Sequence, residues 1–407
     1  MNNNNLKLKA ALLSCCFVTA SMNAISGNIP EMAKTFNTVP LYVVELISTI
    51  PSLFQMLAIL IGRFIGKKIG YKNNVLLGIL LCGIGGIIPI FIENIYVILF
   101  VRGVFGFGAG LIASTLITLI VYFFDGKTRS TMIGMQGSIG GLGSLIATFI
   151  AGRLLIYGWN ISFYTYFIAF IILGIFAAFV PAVTKEEGTQ RVTDKNEREK
   201  RIDFNSVVRI VGYAAMMFIS VSAATLYIIK CSTLVTTLGY GKAQDGSTII
   251  MLISAGSLFS GALYGKMVYR IKKLSLPIFY LSMVSAYIIA AISNNLFIML
   301  ISGFILGFGY MAFVPYIQDN VHKEFSNHGE IVTSIILVGQ SSGAFFAPYL
   351  GNIISTVVPT ITGVFFTGAV IYGGLTLIAL VLAYKVQRKV KTISIDDIEK
   401  IKKNILH

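Results

Sequence analysis

The sequence predicts an all-α membrane protein of twelve transmembrane helices, arranged as two related six-helix halves with both termini in the cytoplasm. Three observations predict it. Apolar residues make up 56% of the 407 and charged residues only 12%. The apolar runs recur at the length needed to cross a bilayer. The basic residues fall almost entirely on one side of those runs.

Composition sets the class. A soluble chain is about 45–50% apolar and about a quarter charged, and half that charge cannot cover a water-exposed surface. Mean hydropathy is +0.81. The net charge of +15 does not point to nucleic acid, because Lys and Arg sit in short clusters between apolar runs, as in cytoplasmic loops that orient a membrane protein. Cys15, Cys16, Cys82 and Cys231 show no metal-binding spacing and read as small buried hydrophobes. His322, His328 and His407 fall in a loop and at the C-terminus, so neither metal nor cofactor is expected. The apolar stretch Ala10 to Ser26 is followed by Gly27-Asn28-Ile29-Pro30 rather than a small-residue cleavage site. It reads as a retained first helix rather than a signal peptide.

Roughly 20 apolar residues cross about 30 Å of hydrocarbon. On that ruler the spans fall at 9–27, 41–65, 73–92, 95–123, 131–154 and 160–183, then at 206–230, 246–269, 274–293, 296–318, 330–356 and 361–386. The expected organisation is an N-terminal half over 1–183, a charged cytoplasmic connector over 184–205, a C-terminal half over 206–386 and a cytoplasmic tail over 387–407. With the N-terminus inside, inside segments hold 27 Lys and Arg against 4 outside. That bias sets the orientation.

The halves repeat one another. Gly62 to Lys68 after span 2 matches Gly265 to Ile271 after span 8, an offset of 203. Gly103 to Gly108 matches Gly303 to Gly309, and Gln136-Gly137-Ser138 matches Gln340-Ser341-Ser342. Three matches in register at half the chain length indicate an internal duplication.

These features resemble the major facilitator superfamily. The loop Gly62-Arg63-Phe64-Ile65-Gly66-Lys67-Lys68-Ile69-Gly70-Tyr71-Lys72 is similar to the family's motif between spans 2 and 3. It keeps the glycines and the basic charge but lacks the acidic residue that helps latch the cytoplasmic side. Arg102 followed by Gly103, Gly106, Gly108 and Gly110 resembles the span-4 signature, and Gly158-Trp159 the pair before span 6. The Gly-Pro antiporter signature is absent from Gly137 to Gly143. Thr49-Ile50-Pro51-Ser52 and Gly126-Lys127-Thr128-Arg129 are similar to a Gram-positive branch that includes conjugated bile salt transporters. The resemblance implies alternating access, proton coupling and a bacterial plasma membrane. It also implies gating roles for Gly62, Arg63, Lys67 and Gly70, with Gly265 and Arg270 at the matching place in the second half.

Several residues could carry chemistry. Gly106 and Gly110 on span 4 and Gly140 on span 5 lie on side-chain-poor faces that let helices approach or slide. Arg102 sits about 10 Å deep in span 4, where an unpaired charge is costly; substrate binding, proton coupling and a structural hydrogen-bonding role are all open to it. Glu45 is the one carboxylate within an outer-half span and the candidate proton carrier. Lys230 ends span 7 and is either a site residue or an interfacial anchor. Gln136 and Gln340 occupy repeat-related positions suited to orienting a polar group. Asn23 and Tyr227 are further cavity candidates.

Nothing resembles an enzyme, and no phosphate-binding Walker loop is present. A channel or a receptor fits a duplicated, glycine-rich bundle less well than a carrier. Arg102, Lys230 and Arg153 against Glu45 alone suggest a positive, apolar-walled cavity and a small amphipathic organic anion as cargo. The rival is a proton-driven exporter of hydrophobic or cationic compounds. Besides its substrate, protons and lipids the chain is expected to need no partner and to act as a monomer.

Overall fold

In a computed structural model the described residues are 3–181, 203–325 and 329–405, and among them every regular element is helical. The helices are α1 (Asn3–Ala20), α2 (Ile29–Thr35), α3 (Leu41–Ile69), α4 (Tyr71–Ile87), α5 (Ile95–Phe123), α6 (Gly126–Leu154) and α7 (Ile168–Phe179). After the connector come α8 (Phe204–Thr237), α9 (Ala243–Ile271), α10 (Ser275–Ala291), α11 (Leu296–Glu324), α12 (Gly329–Val357) and α13 (Ile361–Ile405). Most of the expected connector lies outside the described residues. The last helix runs on to Ile405, past the expected end of its span at 386.

Ten helical segments among the described residues are long and apolar enough to cross a membrane, and the chain is a multi-pass membrane protein. The first of them, Leu6–Thr35, is α1 and α2 taken together. α10 is apolar but shorter, at 17 residues. α12 is a helix of 29 residues packed against α8 and α3.

The first span is broken. Between α1 and α2 the chain passes through two short 3-10 turns, Ser21–Asn23 and Ser26–Asn28. The local sequence causes this. Pro30 has no N–H to give the Ser26 carbonyl, and Gly27 and Asn28 are poor helix formers. Irregular backbone at such depth persists where it is covered by protein, and Ser26, Gly27 and Asn28 are all buried.

Two hydrophobic cores hold the bundle. One draws on residues from Ala11 to Val180, the other on residues from Ile210 to Ala379. Within the first, α3 and α5 approach closely because Gly106 lies against the Pro51 backbone and Gly110 against Gln55 and Ala58. The repeat-related Gly307 lies against the Ile253 backbone of α9 in the same way.

The halves meet at one end and part at the other. The starts of α1 and α4 lie by the ends of α5 and α7: Lys9 sits over the Phe124 ring, and Lys72 donates to the Ala177 carbonyl at 2.9 Å. This is the terminal end of the bundle. At the far end Ser232 donates to the Gly27 carbonyl at 2.8 Å, and the Tyr42 and Tyr349 rings are 5.7 Å apart. A small apolar cluster joins Ile29 to Leu226, Ile229, Ala347 and Val364. α6 and α9 run antiparallel along the seam. Gly152 lies against Ser247, Ser144 and Ser254 share a hydrogen bond of 3.1 Å, and Gly141 touches Leu258. One turn further on Gly137 faces open space, as do Gly134 and, across the seam, Gly265. The seam is closed at the far end and open toward the terminal end.

Candidate functional site

An ion pair bridges the two halves. Glu45 stands in the second turn of α3 and Lys230 near the last turns of α8. Lys230 Nζ is 2.7 Å from Glu45 Oε1, with the two side chains 7% and 0% exposed. Gly351 of α12 lies beside the lysine stem and closely against Leu226, one turn earlier on α8. Glu45 Oε2 has no hydrogen-bond partner. Two unit charges at this distance attract by about 6 kcal/mol at an effective dielectric of about 20. Desolvation offsets much of that gain, yet removing one partner strands the other, at a cost of about 3–5 kcal/mol.

Arg102 does not meet Glu45. It is fully buried on α5, with its guanidinium within 4.8 Å of the Phe105 ring centre and 5.1 Å of that of Tyr166. Its Nε donates to the Ile47 carbonyl at 3.0 Å and its Nη2 to the Met22 carbonyl at 2.8 Å. Both acceptors have a reason to be free. Ile47 is four residues before Pro51, which has no N–H to offer it, and Met22 lies where the first span leaves the α-helix. Arg102 thus supplies the donors that two interrupted helices lack. Nη1 has no partner.

Both amides of the repeat-related pair are half-buried. Gln136, on the splayed part of α6, has an unpartnered Nε2, and Gln340 on α12 has an unpartnered Oε1. Asn23 is half-buried on the broken stretch. Tyr227 is fully buried in the C-terminal core, its hydroxyl 2.6 Å from Ser302 Oγ and its ring between Tyr287 and Phe365. Arg153 is exposed near the far end and lies over the Phe149 ring.

Around the loop after α3, Asn74 donates to the Gly62 carbonyl at 3.2 Å and to Thr115 Oγ1 at 2.6 Å, tying three helices. Gly70 has φ +93°, in the left-handed region that favours glycine, and makes the tight link into α4. Lys67 and Arg270 are exposed at the ends of α3 and α9. The side chain of Arg63 lies outside the described residues. Gly140 has ordinary contacts with Ala20 and Cys16. On the terminal side Arg209 pairs with Glu324, which also accepts from the Tyr213 hydroxyl at 3.0 Å.

Sequence reasoning singled out Glu45 and Lys230 separately and missed their partnership. It also missed the serines of the seam, Ser232, Ser247, Ser144 and Ser254, which carry no pattern of their own. The one available signal was Pro51, which marks the Ile47 carbonyl as needing a donor.

The comparisons agree with this architecture. Residues 11–348 match the family model of the Major Facilitator Superfamily. Among solved structures, the chain is similar to a D-xylose–proton symporter with a TM-score of 0.72 and 15% identity, over 94% of this chain and 98% of that one. It is equally similar to a peptide transporter in complex with alafosfalin, with a TM-score of 0.72 and 14% identity over 94% and 95%. A proton:xylose symporter bound to 6-bromo-6-deoxy-D-glucose follows, with a TM-score of 0.64 and 12% identity over 93% and 95%. At these identities the likeness is one of fold. No curated protein matches the sequence closely enough to count as a relative. A family match over most of its length, on an all-helical bundle of membrane-crossing length, makes this chain a member of the Major Facilitator Superfamily, whose proteins are transporters and not enzymes.

Proposed function

We propose that the chain is a proton-coupled carrier that moves a small amphipathic organic anion by alternating access, with Glu45 and Lys230 linking proton to cargo. The observation that carries this reading is the buried ion pair between the halves. A proton on Glu45 removes the attraction that joins α3 to α8. It also leaves Lys230 as a buried cation in need of a counter-charge, which an acidic group on the cargo can supply. Proton and anion then enter as a neutral pair, and the far end opens and closes with them. The proton symporters among the similar structures support the coupling. The unpartnered amides of Gln136 and Gln340 would hold the polar part of the cargo.

Proteoliposomes with an imposed pH gradient test the reading, with organic anions and cationic dyes as a panel. Gradient-driven anion accumulation is expected. In Glu45→Gln it is lost while anion exchange without a gradient persists, because a neutral residue 45 mimics the protonated form. Accumulation or expulsion of cationic dyes, with anions ignored, would instead make the chain a multidrug exporter.

A further inference from the structure

At the far end of the bundle lies a cleft of about 740 Å³ that the transport reading does not use. Its walls come from different halves. One is formed by α2 and the turn after α6, including Lys34, Ile156 and Trp159; the other by the end of α8 and the start of α9, including Lys242 and Gln244. Trp159 is fixed on its wall, its indole N–H donating to Thr35 Oγ1 at 3.0 Å and its ring edge-on to Phe36 at 5.3 Å. Lys34 and Glu31 line the first wall and balance in formal charge, and Lys242 lines the second. Lys34 pairs with Glu31 at 2.7 Å across a 71% exposed side chain, so the pair is well solvated and weak. On the second wall Asp245 accepts from the backbone amide of Lys242 at 2.7 Å, capping α9.

We propose that this cleft binds a small amphipathic anion and that the bound molecule holds the far end shut. Its acidic group lies between Lys34 and Lys242, within reach of Gln244, and its flat apolar body lies on Trp159 and Ile156. An anion between the two ammonium groups attracts both walls, and its apolar part is covered by both only while they are together. A ligand that binds one state better than the other shifts the population toward it. The site is therefore regulatory. Only its effect on transport rests on alternating access; binding itself does not.

Trp159 is the single tryptophan of the chain, so its fluorescence reports on the cleft alone. The full-length protein in lipid nanodiscs is titrated with meta-benzenedisulfonate, a soluble aromatic dianion, with excitation at the red edge of the indole band. A saturable change is expected. Lys34→Gln and Lys242→Gln each weaken it by about fivefold, the scale of one exposed charge pair. Glu31→Gln, which frees Lys34, strengthens it. The same probe is expected to slow transport in proteoliposomes even at saturating cargo. An unsaturable change, or lysine variants that titrate like the parent, overturns the site. Charge-dependent binding with undiminished transport overturns its hold on the far end.

Discussion

Arg102 Nε donates at 3.0 Å to the carbonyl of Ile47, the very group that Pro51 leaves without its helical partner. A proline in α3 and an arginine in α5 are thus two parts of one device, and a third part is Met22 in the broken first span. This gives Arg102 a role in holding α1, α3 and α5 together. Arg102→Ala is expected to leave the buried Ile47 carbonyl unsatisfied, at about 1–3 kcal/mol, and the Met22 carbonyl with only the long 3.4 Å bond from the Tyr166 hydroxyl. The melting temperature in detergent should fall clearly, and Arg102→Lys should recover part of the loss at most, because an ammonium lacks the planar fork. An Arg102→Ala protein as stable as the parent would remove the clamp from consideration.

The pair Glu45–Lys230 should show strong non-additivity. Lys230→Met and Glu45→Gln alone each break the pair, with a cost to stability of about 3–5 kcal/mol where a charge is stranded. The double variant strands none and should be more stable than the sum of the single losses allows. A double-mutant cycle on thermal unfolding measures this. Strict additivity would mean that the two side chains do not interact.

Glycines that look alike in the sequence should respond differently. A side-chain carbon at Gly106 would run into the Pro51 backbone, whereas one at Gly137 would enter open space. Gly106→Ala should therefore destabilise by about 1–3 kcal/mol, the cost of overpacking, and Gly137→Ala should be neutral or slightly stabilising. Comparing the folded yields and melting temperatures of the two variants decides the matter.

The seam offers a lock. Ser144 and Ser254 sit 3.1 Å apart on opposite halves. Cysteines at both positions should form a disulfide on oxidation. Transport should then fall to background and return with reductant, and the native cysteines interfere little because all four are buried. Full transport by the oxidised form would show that the halves need not separate there.

Much of the architecture could be read from the chain because a bilayer imposes a length and a polarity on every span. The partnerships could not. Glu45 and Lys230 are separated by 185 positions, and nothing local to either names the other. Arg102 attracted attention as a buried charge, but its acceptors are backbone carbonyls, which have no letter in a sequence. The broken first span was signalled by Ser26-Gly27-Asn28-Ile29-Pro30, whose glycine and proline each disfavour continuous helix. The continuation of α13 beyond 386 had no such signal, since the tail is charged and reads as a solvated segment.

The seam between the halves joins glycine and serine for much of its length, with Gly27, Gly141 and Gly152 facing Ser232, Leu258 and Ser247. Such a contact buries little apolar area, so its closure is worth little hydrophobic free energy. What resists opening is therefore concentrated at the far end, in the Glu45–Lys230 pair and the small apolar cluster around Ile29, as a door is held by its latch and not by its frame. Neutralising that pair then acts on the main hold between the halves, with no need to peel a long apolar seam apart.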